Sequence, residues 1–308
     1  MDSIFRVPLG HRSGFVAVMG RPNVGKSTRV NAYVGQKVAI ISEKPQTTRH
    51  RLLGILTLPE AQVIFVDTPG IHTPQHKLGE YMVATAAAAI PDADLAIFMV
   101  DISSQPTPED RQIVELLGHY PQVPVILAMN KLDLVTPEEA ERAAQDYLSL
   151  GSFAETVMLS ATRGDNRAQL LEHILAHLPE GPRYYPPDQV TDQPERVIAA
   201  ELVREQVLRF TFQEVPHSVA VMVEEFRERK ADLTYIEATI YVEKDSQKGI
   251  VIGQGGRILK RIGQAAREEL ENLLGHKVYL ALWVKVRKKW RHDERSLEEL
   301  GYTFQREI

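Results

Sequence analysis

The 308-residue chain contains no cysteine, which excludes disulfides and thiolate metal sites and suits a reducing compartment. Long apolar runs are also missing. No stretch of eighteen or more apolar residues occurs, and the opening MDSIFRVPLGHRSG lacks the apolar core of a secretory signal. The reading is of a chain that does not span a membrane. An excess of positive charge is absent as well: the formal net charge is -5, which alone argues against a nucleic-acid partner. The charge is unevenly spread, however. Residues 196 to 308 carry 20 Lys and Arg against 18 Asp and Glu, leaving 16 against 23 in the remainder. Between 257 and 291, ten basic residues stand against three acidic ones. Such a local excess is the footprint of a phosphodiester partner, or equally of a solvated helix face, and charge alone does not choose.

With 44% hydrophobic and 25% charged residues, the chain is an ordinary globular one, long enough for two domains. In the front part, FVAVMG (15–20), AQVIFVD (61–67), LAIFMVD (95–101), VPVILAMN (123–130) and ETVMLS (155–160) are too short for helices and rich in Val, Ile and Phe. They read as buried strands. Between them lie PEDRQIVELLGHY and PEEAERAAQDYLSL, which open on proline and acidic residues, a helix-start signal. Alternation of this kind predicts a largely parallel sheet covered on both faces. HRLLGILTLPE (50–60) precedes AQVIFVD with no room for a helix, so that pair is expected to be antiparallel and the sheet mixed. LPEGPRYYPPDQVTDQPE (178–195), with five prolines, reads as an extended linker. Beyond it a helix, two strands, a short helix, a glycine loop, a basic helix (257–274) and the strand KVYLALWVKV predict a small α+β domain. The expected boundaries are 1–180, a linker at 181–195, and 196–308 with a C-terminal helix.

GRPNVGKS fits G-x-x-x-x-G-K-[ST], follows a strand and opens a helix. Gly20 and Gly25 let backbone N–H groups turn inward around a β-phosphate, Lys26 adds a point charge, and Ser27 offers Mg²⁺ a hydroxyl. Three further signatures follow at successive strand ends. In DTPG (67–70), Asp67 can reach Mg²⁺ through water and the Gly70 amide can sense a γ-phosphate. In NKLD (130–133), Asp133 can accept two hydrogen bonds from guanine N1–H and the 2-amino group, which adenine cannot offer. SAT (160–162) can contact guanine O6 through backbone. Each is weak alone, but together they follow the rule that such sheets bind ligands at their carboxyl edge. The candidate nucleotide residues are Gly20, Asn23, Val24, Gly25, Lys26, Ser27, Thr28, Asp67, Asn130, Lys131, Asp133, Ser160, Ala161 and Thr162.

A second glycine loop, VIGQGG, contains G-x-x-G from Gly253 to Gly256 but lacks Lys-Ser and lies between two helices. It resembles the loop of a KH domain of type II, which clamps single-stranded nucleic-acid backbone. The candidate RNA contacts are Gly253, Gln254, Gly255, Gly256, Arg257, Lys260 and Arg261. Tyr241, Trp283 and Trp290 are set aside as core aromatics.

Together with QTTRHR (46–51) and DTPGIH, these motifs resemble the Era family of GTPases along essentially the whole chain. The resemblance implies a P-loop GTPase domain followed by a KH domain, and GTP hydrolysis to GDP. It implies that EKPQTTRHR is switch I, with Thr48, or alternatively Thr47, on Mg²⁺, and that GIHTPQHKLG is switch II. Lys26, Thr48 and Gly70 become the catalytic candidates, and Ser27, Thr48 and Asp67 the metal candidates. The implied partners are GTP and GDP, small-subunit ribosomal RNA and the small ribosomal subunit, whose assembly the family serves, with peripheral contact at the inner face of the cell membrane. A cytoplasmic location is implied too. The rival reading is a GTPase that regulates a protein or membrane partner through its C-terminal domain. Asn23 either holds potassium near the phosphates, as implied for related GTPases, or only stabilises its turn. Ile71 stands where Ras-like enzymes carry a water-orienting glutamine. One residue departs from the family pattern: Arg29 occupies a position, usually aliphatic, that should face the sheet. Either it reaches outward to water or the helix is perturbed.

Overall fold

The computed structural model describes residues 7–230 and 232–303. Residues 1–6, part of the start searched above for a signal core, lie outside the described residues. The chain divides into two compact units. One holds residues up to Ala39, Thr48–Pro74 and Met82–Asp192; the other holds Ile40–Thr47, Gln75–Tyr81 and the chain from Gln193 onward.

In chain order the first elements are β1 (Arg12–Met19), α1 (Lys26–Val34), β2 (Leu52–Thr57), β3 (Ala61–Asp67) and α2 (Lys77–Ala87). They are followed by β4 (Leu95–Asp101), α3 (Pro108–Gly118), β5 (Val125–Asn130), α4 (Pro137–Leu148), β6 (Glu155–Met158) and α5 (Arg167–His177). The sheet runs β2-β3-β1-β4-β5-β6, parallel except for the antiparallel β2–β3 pair. The mixed sheet expected from the missing crossover is therefore present. Side-chain alternation along β1 divides the core in two. Val16 and Val18 pack with Val30 and Tyr33 of α1 and Leu170 and Ile174 of α5. Ala17 and Met19 pack with Ile90, Ile113, Leu117, Ala144 and Tyr147 on the opposite face. Each fully buried aliphatic or aromatic side chain contributes about 1.5–3 kcal/mol of transfer free energy.

Helix starts follow the sequence signals. Thr107 and Thr136 each cap a helix whose next residue is proline, in reciprocal boxes with Asp110 and Glu139. The proline-rich stretch contains no helix or strand from Gly181 to Pro194, yet it is not loose. The Val190 carbonyl accepts from the Ile55 amide (2.9 Å) and the Asp192 carboxylate from the Leu53 amide (3.1 Å). Chain thereby covers the edge strand β2, whose unpaired amides would otherwise invite pairing with other chains.

The second unit contains α6 (Glu195–Phe210), β7 (Ala220–Lys230), β8 (Leu233–Val242), α7 (Asp245–Ile252), α8 (Arg257–Leu274), β9 (Lys277–Val286) and α9 (Glu294–Glu299). Its sheet runs β7-β8-β9, the first pair antiparallel and the second parallel, the topology of a type II KH domain. Val203 and Val207 of α6 and Ile262, Ala266 and Leu270 of α8 pack on Ile236, Ile240, Val278 and Val284. Ile40 joins this core. The neighbouring Ile41 amide donates to the Glu205 carboxylate (2.9 Å), and the buried Arg204 guanidinium donates to the Thr47 carbonyl. No helix among the described residues is long and apolar enough to cross a membrane.

Candidate functional site

The nucleotide candidates converge at the carboxyl edge of the six-stranded sheet, because β1, β3, β5 and β6 all end there. The strand β1 runs into the loop 20–25, and α1 starts immediately after Gly25, which has φ 102°. A Cβ at Gly25 would collide with the Asn130 amide, so the turn requires glycine twice over. Asn23 also adopts positive φ (64°), an asparagine-tolerant conformation that turns the loop. Two glycines and an asparagine thus curl the backbone ahead of a helix N-terminus, where N–H groups and the helix dipole favour a phosphate.

Lys26 is buried and folds back over the loop, donating to the Gly20 (3.0 Å) and Arg21 (3.1 Å) carbonyls. Burial pulls its ammonium down to about 8, an effect Asp67 partly opposes. Ser27 Oγ donates to Asp67 Oδ2 (2.6 Å) and lies 2.9 Å from Thr48 Oγ1. Burial raises the Asp67 carboxyl to about 6, with the Ser27 hydroxyl and Lys26 opposing. Its second oxygen, Oδ1, is buried without a hydrogen-bond partner. An all-oxygen set of two hydroxyls and an under-satisfied carboxylate fits a small hard dication such as Mg²⁺. Of the two threonines left open above, geometry brings Thr48 to this cluster. The Thr47 hydroxyl instead donates to the Lys44 carbonyl (2.6 Å).

Gly70 abuts the phosphate loop: a Cβ there would come within 2.5 Å of the Pro22 nitrogen. The next residue, Ile71, is buried in the apolar core, its amide donating to the Gly20 carbonyl (3.2 Å). It has no polar atom to offer and points away from water.

At the base side, Asn130 is a brace. Its Nδ2 donates to the Val24 carbonyl (2.6 Å) and its Oδ1 accepts from the Ala161 amide (2.8 Å), tying the phosphate loop to the SAT turn. Lys131, with φ 69°, pairs with Asp101 (2.6 Å). Asp133 is held below the usual carboxylate range, chiefly by the Ser160 hydroxyl. Asp101 was not anticipated; only its place at the end of a strand could have pointed to it. Ser160 and Thr162 share a hydroxyl contact (3.1 Å). The Ala161 N–H is committed to Asn130, while among the described residues the Thr162 N–H donates to no protein group. Val24 is buried in the core, whereas Thr28 lies within the first turn of α1.

Arg29 does not reach outward, and α1 is not perturbed: the Arg29 amide bonds the Gly25 carbonyl at 3.0 Å. The side chain is 1% exposed, and Nη2 donates to the Ser160 carbonyl at 2.8 Å.

The second unit presents the G-x-x-G loop on its surface. Gly253, Gly255 and Gly256 all have positive φ (71°, 61° and 76°), so the loop needs residues without the left-handed penalty. Gly256 begins the 18-residue α8 with no side-chain cap, which leaves the first N–H groups of that helix available to phosphate. Gln254, Arg257, Lys260 and Arg261 are exposed around it. Arg257 donates to Gln254 Oε1 (2.8 Å), and the Arg261 guanidinium lies 4.6 Å from the Phe210 ring centre.

The family model described as 50S ribosome-binding GTPase matches residues 15–131, and the KH domain model matches residues 214–291. A crystal structure of Era in complex with MgGDPNP and nucleotides 1506–1542 of 16S ribosomal RNA is 40% identical, with a TM-score of 0.92. The likeness covers 96% of this chain and all (100%) of that one. The chain belongs to the Era family. An Aquifex aeolicus Era variant with one tyrosine replaced by alanine, bound to GDP and aluminium tetrafluoride, is also 40% identical, with a TM-score of 0.91. It is covered in full (100%) by 95% of this chain. As an Era-family GTPase, this protein carries both elements of the family, a P-loop domain and a KH domain.

Proposed function

We propose that this Era-family protein is a GTP-hydrolysing switch that binds single-stranded ribosomal RNA through its KH domain and acts in small-subunit assembly in the cytoplasm. The observation that carries the reading is two phosphate-binding devices of different chemistry in one chain. The first has Lys26, Ser27 and Thr48 beside a buried carboxylate, suited to a nucleoside triphosphate with Mg²⁺. The second has no such cluster at its helix start, only glycines, open amides and exposed cations, suited to a polynucleotide backbone. The relative crystallised with MgGDPNP and 16S ribosomal RNA supports the same pairing.

At the first site Ser27 and Thr48 would hold Mg²⁺, and Asp67 would serve it through water; when bound, the ion would neutralise charge building on the phosphates. The Lys26 ammonium spends two of its three N–H groups on the loop carbonyls and has the third, with its charge, to offer the β- and γ-phosphates. The Gly70 amide reports the γ-phosphate, and Asp133 selects guanine. Thr162 supplies the free backbone donor for O6. Ile71 orients no water, so hydrolysis depends on the loop, the switch backbone or a cation near Asn23, and slow basal turnover follows.

Filter binding with an oligonucleotide of the 16S ribosomal RNA 3′ end tests the reading, comparing GDPNP with GDP and wild type with Gly256→Asp. A Cβ at Gly256 meets nothing within 4 Å, and Asp is among the residues that best tolerate its left-handed backbone (φ 76°), so the substitution places its charge at the loop at a local backbone cost only. The expected result is nucleotide-dependent binding, weakened about tenfold or more by the substitution, with a flatter salt dependence and intact GTP hydrolysis. Unchanged RNA binding in the folded variant would remove the RNA assignment and favour a protein or membrane partner.

A further inference from the structure

Arg29 is a buried cation in an odd place. It lies in the first turns of α1, beneath the base-side turn, with its guanidinium carbon 5.8 Å from the Tyr33 ring centre. Among the described residues no carboxylate forms an ion pair with it. Nε and Nη1 are buried without partners, and the one hydrogen bond its head group makes is to the Ser160 carbonyl. Burial lowers its basicity; Tyr33 and Asp165 oppose this and Arg167 adds to it. A guanidinium stays charged in proteins, so this bond is charge-assisted and made away from water. The Ser160 carbonyl also accepts from the Gly164 amide (2.9 Å), closing the turn from 160 to 164. That turn is therefore held at two points. Asn130 holds the Ala161 amide from the phosphate-loop side, and Arg29 holds the Ser160 carbonyl from the helix side.

We propose that Arg29 is a specificity-positioning residue, whose guanidinium fixes the Ser160–Thr162 turn where its backbone meets atom O6 of guanine. A directed hydrogen bond sets the height of the turn, so the contact to O6 depends on a residue that never touches nucleotide. The inference rests on the assignment of this turn to the guanine base.

Three diphosphates separate the two ideas. GDP is the reference. 6-Thioguanosine diphosphate changes only the O6 atom, replacing it with a larger, weaker acceptor. Inosine diphosphate lacks only the 2-amino group and reads Asp133. Wild type should bind GDP about tenfold more tightly than the thio analogue, the size of one good hydrogen bond. In Arg29→Met that ratio should shrink to about twofold to threefold, while the GDP to IDP ratio stays unchanged. Arg29→Lys, which keeps a cationic donor, should restore the thio ratio to at least about sixfold. Restoration separates a bond to Ser160 from simple filling of space. If Arg29→Met gives no folded protein, Arg29→Leu provides the same apolar test. Wild type that treats GDP and the thio analogue alike overturns the base-turn assignment itself. Wild type that discriminates, with a folded Met or Leu variant keeping the full ratio, overturns the role of Arg29 alone. A Lys variant as indiscriminate as the Met one also overturns it.

Discussion

Replacing Asn130 with alanine should damage nucleotide binding more than replacing any residue that only touches the base. The side-chain amide makes two bonds at once, to the buried Val24 carbonyl at 2.6 Å and to the Ala161 amide at 2.8 Å. Losing them forfeits about 0.5–1.5 kcal/mol each, and a buried group left unsatisfied costs about 1–3 kcal/mol. These figures overlap, so about 2–4 kcal/mol is the expected total. Both partners sit in loops, and neither belongs to a sheet ladder. The deficit therefore appears mainly as freedom of the two loops in the nucleotide-free protein, which GDP must remove on binding. Displacement of a fluorescent GDP analogue should accordingly show affinity weakened about 30-fold to 1000-fold. Asn130→Asp sharpens the test. It has nearly the same shape and keeps an acceptor for the Ala161 amide, but sets a carboxylate oxygen against the Val24 carbonyl. It should bind GDP no better than Asn130→Ala. A folded Asn130→Ala protein with GDP affinity within about threefold of wild type would refute the brace, since less than 1 kcal/mol would then have been lost.

Two further outcomes follow from the site. Asp133→Asn should lose GTP and gain xanthosine triphosphate in competition binding, because an amide can donate to the 2-oxo group where the carboxylate only accepts; unchanged affinity for both nucleotides would remove Asp133 from the base site. Hydrolysis of saturating Mg²⁺-GTP should be faster in potassium than in sodium at equal ionic strength, and Asn23→Ala should erase the difference with GTP binding intact. Equal wild-type rates in the two salts would leave Asn23 as a turn residue only.

The parts of the molecule that could be read in advance are those where chemistry restricts residue type. A phosphate site needs glycine where φ is positive, as at Gly25, or where another backbone crowds the position, as at Gly70. Strand runs such as LAIFMVD were legible for a related reason: a strand buried on both faces admits only apolar side chains. Less legible was what each polar atom does. NKLD reads as a base-recognition motif, yet its asparagine spends both ends of its amide on the protein's own loops. The proline-rich stretch reads as a spacer because it has no periodicity, while its fit along β2 depends on edge amides that only the folded sheet presents.

The two tryptophans show the limit most plainly. Trp283 lies inside an apolar run and Trp290 follows three basic residues, and both were set aside as core. Trp290 is fully buried, its indole N–H donating to the Ser218 carbonyl at 3.0 Å. Trp283 is 57% exposed. The exposure of Trp283 is a matter of parity along β9, where Val278 and Val284 belong to the core and Tyr279 and Trp283 fall on the alternate face, whereas Trp290 lies beyond the strand. A strand buried on one side only should carry polar residues on the other, and KVYLALWVKV does so only in part. Its apolar character on both faces made it look like an interior strand. Periodicity can count apolar positions, but it cannot say whether a neighbouring element covers them. The same blindness applied to Arg29, whose position in the helix pattern marked it as inward-facing. Whether a buried charge there is a defect or a device depended on one carbonyl 131 residues further along the chain.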